Sequence, residues 1–535
     1  MKPRLFAIMA VGLLPAQAMA GGLFLPGSGA VSTSRAGAAV ASADDGEALS
    51  INPAGLAKTK GTTITVSMAI IDYVMQFTRR GTYDDIATEA LPYEGQAYPT
   101  VKNDVSPPLG LGPFQPVPVL AVVTDLGGKV PGLHLAAGLF APNAYPFRDM
   151  CTVGSGGCKK YGFNGDFNEA PSPVRYDIVK QDAAVILPSI AASYRITPQI
   201  DVGARFSAGF AKLKSTVTIW GNPANVVENV KEDALFSVDA TDNFVPAFGL
   251  GATYRPTPNL EVAAAYSSEI SVLAQGDATS EVGPSVGLNG TPITIGASTD
   301  VRCAAGGTDL KQKVCVELAL PMTATIAGRY KFLGADGKQK ADIELDLGWE
   351  NWSTERAGEY RVVADAQIYV NGTPSLGLKD NLVSHGFKDT YNARLGGSYS
   401  LPVADNEVIL RGGLGYDTAA AKPGWLRADI DGAARTTVTV GAGYKTKKFD
   451  VNIGGGAVLE GSPSNPGTCN PISNQQNMLG CNQDGVEHPV GSPQRQGPDP
   501  INPIVVPQQQ LEAPVNKGTF QSHYVLFMLG FTTWF

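Results

Sequence analysis

The histidines and serines are the residues that would have to perform hydrolysis if this chain were an enzyme. The sequence of 535 residues contains four histidines. His385 and His523 each follow a serine directly, and neighbouring residues on a β-strand point to opposite faces. His134 has no serine two positions away, and His488 lies in a proline-rich stretch. Nucleophilic catalysis needs both groups on one side, so the sequence argues against an enzyme.

Six cysteines fall into three local pairs, which could either bind a metal or form disulfides. The pairs are Cys151 and Cys158, Cys303 and Cys315, and Cys469 and Cys481. No CxxC spacing and no nearby histidine cluster supports a metal site. An exported chain meets an oxidising compartment, so we expect a disulfide within each pair, although spacing alone does not determine connectivity. We expect neither a metal nor another cofactor.

Inward-facing arginines are the groups that could bind the carboxylate of an organic acid. Arg205, Arg329 and Arg394 lie on strand faces that we predict to be inward. Each could also serve as the partner of an acidic side chain inside a barrel. The predicted hairpins set three arginines close to acids on the same face: Arg195 near Asp201, Arg255 near Glu261, and Arg329 near Asp342. Both roles remain open for these arginines.

The elements that would position these residues are β-strands. Residues 341–349 alternate, with Ile343, Leu345 and Leu347 on one face and acidic residues on the other. Alternation of this kind fits a soluble sandwich as well as a membrane barrel. Fourteen such runs lie between Gly61 and Phe535, joined alternately by short and long connections. An even strand number with short turns on one side and long loops on the other is typical of outer-membrane barrels.

Aromatic residues at the strand ends also favour a membrane barrel. Five tyrosines precede short turns: Tyr194, Tyr254, Tyr330, Tyr399 and Tyr444. Aromatic rings are enriched where the bilayer meets water. The last strand carries Phe527, Leu529 and Phe531 on one face and ends at Phe535. This pattern resembles the signal that the outer-membrane assembly machinery reads. We therefore predict an all-β fold, a transmembrane antiparallel β-barrel of about 14 strands.

The N-terminus predicts export, and the composition excludes a nucleic-acid partner. Lys2 and Arg4, an apolar run and Ala18-Met19-Ala20 resemble a cleavable signal peptide over residues 1–20. No later stretch is long and apolar enough for a membrane-spanning helix. The net charge is −8, and no basic cluster suggests nucleic acid. The expected location is the bacterial outer membrane.

Residues 21–60 do not alternate, and we predict that they plug the barrel. They contain small residues, an acidic turn and Asn52-Pro53-Ala54. Fourteen strands enclose a lumen that side chains alone would not fill. Asp44 or Asp45 is expected to cap a short helix, and Asn52-Pro53 to end it, because a residue before proline avoids the helical region. The barrel itself is predicted over 61–535.

The chain resembles the FadL family of outer-membrane channels for long-chain fatty acids, whose TodX-type relatives admit aromatic hydrocarbons. The resemblance rests on the acidic turn with Asn52-Pro53-Ala54, on Gly138-Leu-Phe-Ala-Pro-Asn143, and on Leu320–Ile326 with Glu350-Asn-Trp352. It continues through Phe387–Tyr391, Arg394–Gly397 and Asn516–Phe520. It covers essentially the whole mature chain. The loops at 79–115, 276–313 and 461–517 match no part of the family pattern.

The resemblance implies a passive channel with a mobile N-terminal hatch and a lateral exit. The hatch residues would be Gly22, Leu23, Phe24, Asn52, Pro53 and Ala54. The ligand would leave through a gap where the third strand is kinked. The kink residues would be Gly138, Phe140, Pro142, Asn143 and Pro146, since proline lacks the N–H that a ladder needs. The prolines could equally mark only the end of that strand.

The expected ligand is a hydrophobic small molecule, with long-chain fatty acid first and aromatic hydrocarbon as the alternative. A general porin or an adhesin barrel would also fit the strand pattern, although neither needs a hatch of forty residues. The expected partners are outer-membrane lipids, lipopolysaccharide and the assembly machinery. A closed barrel has no free edge strand, so we expect a monomer.

Overall fold

A computed structural model describes most of the chain. The described residues are 22–86, 90–107, 110–150, 169–219, 230–282, 293–295, 313–363, 366–370, 373–378, 381–421, 425–465, 479–480, 488–489 and 518–535. The proposed signal peptide, residues 1–20, lies outside them. Among the described residues, no helix is long and apolar enough to cross a membrane.

Fourteen antiparallel strands form a closed barrel, which confirms the predicted fold. In chain order, β1 to β14 are Thr62–Arg79, Gln115–Thr124, Leu133–Phe140, Lys180–Thr197, Ile200–Ile219, Ala234–Tyr254, Leu260–Ser267, Thr323–Leu333, Gln339–Glu350, Thr390–Val403, Asn406–Asp417, Arg435–Lys445, Phe449–Gly461 and Gly518–Trp534. Each strand pairs with the next along the chain. β14 pairs with β1 from Thr63 opposite Trp534 to Arg79 opposite Gly518, and this pairing closes the ring.

Further strands extend the sheet on the side of the long loops. They are Thr100–Lys102, Arg148–Asp149, Ile270–Val282, Lys313–Leu320, Glu359–Val363, Asn381–Ser384 and Ser464–Asn465. Two small sheets comprise Ile293–Ile295, Ala366–Val370 and Thr373–Leu378, and Leu479–Gly480 with His488–Pro489. Two of the fourteen runs, near 259–275 and 314–333, alternate without a break in the sequence and predict one strand each. Both are interrupted, at residues 268–269 and 321–322, the second because Pro321 has no N–H to donate.

The alternation on β9 has the orientation of a membrane barrel. Ile343, Leu345 and Leu347 are exposed on the outer surface, whereas Asp342, Glu344 and Asp346 are buried inside. The five tyrosines before the short turns are exposed as well. A soluble sandwich would bury the apolar face, so the apolar outer surface identifies a wall that faces lipid.

Residues 22–60, here called the hatch segment, lie inside the ring. The segment contains α1 (Ala30–Thr33), α2 (Ala48–Ile51) and a 3₁₀ helix, Pro53–Lys58. Elsewhere, α3 spans Glu355–Gly358, and 3₁₀ turns span Leu126–Gly128 and Val230–Glu232. The helix α2 ends before Asn52, which is extended, as predicted. The predicted cap was wrong: Asp45 accepts a hydrogen bond from Glu47 N in a turn ahead of the helix.

Cys315 is the one cysteine within the described residues. It is buried near the barrel's outer rim and is disulfide-bonded. Cys151, Cys158, Cys303, Cys469 and Cys481 lie outside the described residues. The three local pairings therefore stay predictions.

Candidate functional site: the hatch segment and the end of the third strand

Asn52 organises the turn between the two short helices of the hatch segment. Its side chain is fully buried. Nδ2 donates to Val40 O at 2.7 Å, and Oδ1 accepts from Ala54 N at 3.1 Å. The second bond caps the 3₁₀ helix that Pro53 begins. One amide thus joins two parts of the hatch segment.

The Asn52-Pro53-Ala54 turn fits against glycines in the barrel wall. A Cβ at Gly251 on β6 would lie 2.0 Å from Asn52 Oδ1, and one at Gly203 on β5 would lie 2.4 Å from Pro53 C. Ser193 Oγ on β4 donates to Ala54 O at 3.2 Å. These glycines permit the close approach, so the turn docks on three neighbouring strands.

We expect Asn52→Ala to loosen the hatch segment without unfolding the barrel. The variant loses both amide bonds and leaves Val40 O without this donor, which should cost about 1–2 kcal/mol locally. Faster amide hydrogen exchange across residues 53–58 would report the change. The control is Asn406→Ala, which removes a half-buried amide at the start of β11 that bonds to Tyr444 Oη and not to the hatch segment. Unchanged exchange in Asn52→Ala would contradict the role of the turn.

Acidic residues on β9 hold the other half of the hatch segment. Arg35, which is buried, donates to Asp342 at 3.1 Å and to Glu344 at 2.9 Å. Glu344 Oε1 also accepts from Ala41 N at 2.6 Å. Asp346 Oδ2 accepts from Ala39 N and Val40 N. We call the pairing of Arg35 with Asp342 and Glu344 the ionic latch, since it attaches the hatch segment to the inner face of β9.

Glu47 fixes the start of α1 to β1. Its carboxylate accepts from Val31 N at 3.0 Å, Ser32 N at 2.9 Å and Ser67 Oγ at 2.7 Å. Ser67 Oγ in turn accepts from Ala30 N. The acidic turn that the sequence singled out thus anchors the hatch segment to the strand that closes the barrel.

Burial shifts the pKa of two half-buried ionisable groups of the hatch segment. Burial and the neighbouring carboxylates of Glu47 and Asp44 raise the pKa of Asp45 well above its usual range. Burial lowers the pKa of Lys58, an effect that Glu261 opposes. Lys58 Nζ donates to Ala41 O and lies 3.7 Å from Glu261 Oε2. Lys58 therefore lies between the hatch segment and β7.

The three predicted lumen arginines have different surroundings. Arg329 pairs with Asp342 at 2.6 Å and with Glu261 at 2.8 Å. Arg394 pairs with Asp417 at 2.7 Å. Arg205 instead donates to the hatch carbonyls of Leu49 and Ser50, at 2.9 and 3.0 Å. These contacts make Arg329 and Arg394 structural ion-pair residues, and they link Arg205 to the hatch segment.

One of the three predicted ion pairs was wrong. Two pairs formed as predicted: Arg195 binds Asp201 at 2.8 Å, and Arg329 binds Asp342 at 2.6 Å. Arg255 binds Asp201 at 2.7 Å and not Glu261. Glu261 stands directly opposite Arg329 in the β7–β8 ladder, whereas Arg255 follows the end of β6.

The N-terminal end of the hatch segment lies in an aromatic site near the loops. A Cβ at Gly22 would lie 2.2 Å from Trp352 Nε1, so this contact admits only glycine. The ring of Phe24 lies 5.9 Å from that of Trp352. Arg435 Nη1 donates to Phe24 O at 2.9 Å. Leu23 is buried in the same apolar cluster.

The β3 ladder is interrupted at the residues for which the resemblance implies a kink. Pairing with β4 ends at Phe140 opposite Leu187 and returns only at Arg148 opposite Gln181. Residues 141–147, here called the break, turn inward between these points and include Pro142 and Pro146. Gly138 precedes the break, and a Cβ there would lie 2.8 Å from Leu49 Cδ2, so this glycine admits the hatch segment.

Asn143 joins the break to the N-terminal end of the hatch segment. Its Nδ2 donates to Pro26 O at 2.9 Å and to Gly27 O at 3.0 Å. Its own carbonyl accepts from Leu25 N at 2.6 Å. Two sets of residues that the sequence predicted separately, the hatch end and the kink, are therefore in direct contact.

Above the hatch segment the lumen is apolar and aromatic. The side chains that pack there are buried and include Tyr73, Met75, Phe77, Phe140, Leu187, Phe387, Tyr524 and Leu526. Sequence reasoning did not single out Arg148, which is 1% exposed. Arg148 donates to Tyr145 O, Phe147 O and Ala428 O, and its guanidinium lies 4.5 Å from the Tyr73 ring centroid. Its position two residues after Pro146 could have indicated that Arg148 lies beside the break.

A closed fourteen-stranded barrel with a lipid-facing wall, filled by its own N-terminal segment, defines an outer-membrane channel protein. The chain belongs to the family of outer membrane protein transport proteins (OMPP1/FadL/TodX), whose family model matches residues 11–458. This family consists of outer-membrane transport channels for hydrophobic compounds and not of enzymes.

Several known proteins are similar to the chain. Outer membrane protein P1 of Haemophilus influenzae is 22% identical over 357 residues, which are 61% of this chain and 68% of that protein. The crystal structure of a Pseudomonas aeruginosa FadL homologue has a TM-score of 0.62 at 14% identity, covering 96% of this chain and 99% of its own. The Pseudomonas putida toluene transporter TodX has a TM-score of 0.58 at 16% identity, with coverage of 96% and 99%. These structures share the fold.

Proposed function

We propose that this outer-membrane channel takes up long-chain fatty acids passively and releases them sideways through the break in β3. The observation that carries the proposal is the interrupted ladder at residues 141–147, which adjoins the apolar lumen above the hatch segment. The hatch segment fills the lumen below it, so a lateral path through the wall is the shorter route out of the apolar region.

The energetics of an acyl chain fit such a path. Each CH₂ group gains about 0.8 kcal/mol on leaving water, so an apolar lumen binds the chain readily. The hydrated lipopolysaccharide layer resists its passage, and the channel offers a dry route through that layer. Release then requires two states of the protein that bind the ligand differently.

The N-terminal end of the hatch segment is the proposed gate. A ligand in the aromatic site would compete with Phe24 for Trp352 and with Leu23 for the apolar cluster. Movement of residues 22–26 would break their bonds to Asn143 and so change the break. Binding in the lumen would thereby favour the state in which the lateral path is open.

Arg148 favours a carboxylated ligand. Among the described residues, no carboxylate oxygen lies within 4.0 Å of its guanidinium, and its hydrogen bonds go to carbonyls. A buried charge without a counter-ion is unfavourable, and a fatty-acid carboxylate would supply one beside the break. The toluene-transporting relatives support an aromatic hydrocarbon equally, which makes it the second candidate.

Uptake of two labelled ligands separates these candidates. A transporter-deficient strain that expresses the chain would be given radiolabelled oleate or toluene. We expect Arg148→Gln to lower oleate uptake about tenfold, the loss of one charge-assisted contact of about 1.5–3 kcal/mol, and to leave toluene uptake unchanged. The control is Arg356→Gln, which replaces an exposed arginine of α3. Toluene uptake without oleate uptake would establish the aromatic hydrocarbon as the ligand, and uptake of neither would refute the function.

Other parts of the proposal concern export and the surroundings of the barrel. Residues 1–20 act as a cleaved signal peptide, and disulfides within the three cysteine pairs brace the long loops. The barrel works as a monomer in contact with lipids and lipopolysaccharide. The aromatic last strand is the part that the assembly machinery reads.

A further inference from the structure

Arg205 contacts both the hatch segment and the residue at which the β3 ladder ends. It lies on β5 and is 5% exposed. Its Nη1 donates to Leu49 O and Ser50 O in α2, at 2.9 and 3.0 Å. Its Cζ lies 4.7 Å from the ring centroid of Phe140. One guanidinium therefore contacts both the hatch segment and Phe140, the residue directly before the break.

The neighbours of Arg205 leave space for this arrangement. A Cβ at Gly249 on β6 would lie 3.0 Å from Arg205 Nη2, so glycine accommodates the guanidinium. Nη2 makes only a long bond, of 3.4 Å, to Ser267 Oγ. The Leu49 side chain also lies against Gly138 of β3. A shift of α2 would thus move Leu49 relative to Gly138 and Arg205 relative to Phe140, and both of those neighbours belong to β3.

The charge of Arg205 is held weakly by comparison with the other lumen arginines. Within the described residues, no carboxylate oxygen lies within 4.0 Å of it, and its buried Nε has no hydrogen-bond partner. Arg329 and Arg394 are both paired with acids. A cation held by two carbonyls and a ring face has no strong partner to keep it in place when the carbonyls move.

We propose that Arg205 couples the position of the hatch segment to the opening of the break. In the closed state, the carbonyls of α2 hold the guanidinium over Phe140 and keep the last pair of the β3 ladder in place. When α2 shifts, the guanidinium leaves the ring, and Phe140 and the break are freed together. Arg205 is a positioning residue in this scheme, which rests on the proposed lateral exit.

A double-mutant cycle tests the coupling. Arg205→Gln and Phe140→Leu would be made singly and together, and a nitroxide on Ala141→Cys would report the mobility of the break with and without oleate. We expect either single change to reduce the oleate-dependent mobility change about fivefold or more, and the double variant to be no worse than either. The same dependence should appear in oleate uptake.

The matched control is the cycle of Arg195→Gln with Phe140→Leu. Arg195 also donates to a hatch carbonyl, Ala57 O at 2.8 Å, but it is paired with Asp201 and lies away from the break. We expect these two changes to act independently, with the nitroxide response kept in Arg195→Gln. Arg205→Lys keeps the charge without the planar stacking and should give an intermediate response.

Two results would overturn the coupling. One is a full nitroxide response to oleate in Arg205→Gln, and the other is additive loss in the Arg205 cycle. Phe140→Leu keeps the test valid if Arg205→Gln does not assemble, because it removes the same contact from the other side. Failure of the wild type to take up either oleate or toluene would instead refute the proposed function, so the two failures can be told apart.

Discussion

Replacing both prolines of the break, as Pro142→Thr with Pro146→Thr, is expected to reduce oleate uptake about fivefold or more while the barrel still assembles. Each threonine restores an N–H that a ladder can use, and β4 continues past Leu187 beside the break. Two new ladder bonds at about 0.5–1.5 kcal/mol each would favour a continuous wall by roughly fivefold to a hundredfold. Radiolabelled oleate uptake, normalised to surface expression, measures the effect.

The control for this prediction is Pro402→Thr. Pro402 lies on β10, away from the break, where its replacement adds an N–H to an exposed stretch of wall. We expect uptake in this variant to match the wild type. If the double proline variant also transports oleate at the wild-type rate, the prolines mark only the end of the third strand and the lateral exit is refuted.

The second large effect is expected from Arg35→Ala, which removes the cation of the ionic latch. The change would leave Asp342 and Glu344 buried without the guanidinium that binds both. Breaking a buried ion pair from one side costs about 3–5 kcal/mol. Since Arg35 belongs to the hatch segment, the loss should release that segment before the strands separate.

Two measurements distinguish release of the hatch segment from unfolding of the barrel. Single-channel recordings should show a large and steady ion conductance in Arg35→Ala that the wild type lacks. Urea titration should show that the hatch segment is released at a lower urea concentration, whereas the midpoint for unfolding of the barrel is unchanged. Lys447→Ala, which breaks an exposed pair with Asp405, should change neither by more than about 0.5 kcal/mol. Low conductance in Arg35→Ala would show that the latch does not retain the segment. High conductance in the wild type would favour a general porin.

Together these predictions assign different tasks to the two ends of the hatch segment. Residues 27–60 are fixed by charged groups, because Arg35 binds acids of β9 and Glu47 binds β1. The Asn52 turn packs on β4, β5 and β6 as well. Residues 22–26 are held by the contact of Phe24 with Trp352, by the bond from Arg435 to Phe24 O, and by two hydrogen bonds with Asn143. The second set is the easier one for a ligand to displace, so opening should begin there.

The sequence by itself determined the barrel, because the information for a strand is local. The alternation of Ile343, Leu345 and Leu347 with acids predicts a strand with one apolar face. The alternately short and long connections and the five tyrosines at strand ends then favour a membrane barrel over a soluble sandwich. The prolines of the break were equally readable, since a missing N–H ends a ladder wherever it occurs. The helix stop at Asn52-Pro53 belongs to the same class.

Only the tertiary structure decided which inward residues meet. Arg35 and Asp342 are 307 positions apart, and Asn143 meets Pro26 from 117 positions away. Strand alternation says that a side chain points inward but not what lies across the lumen, which depends on ring closure and on the path of the hatch segment. A hairpin could be paired in advance, which placed Arg329 near Asp342, but only the folded chain shows that Arg394 pairs with Asp417 and that Arg205 contacts the hatch segment and Phe140.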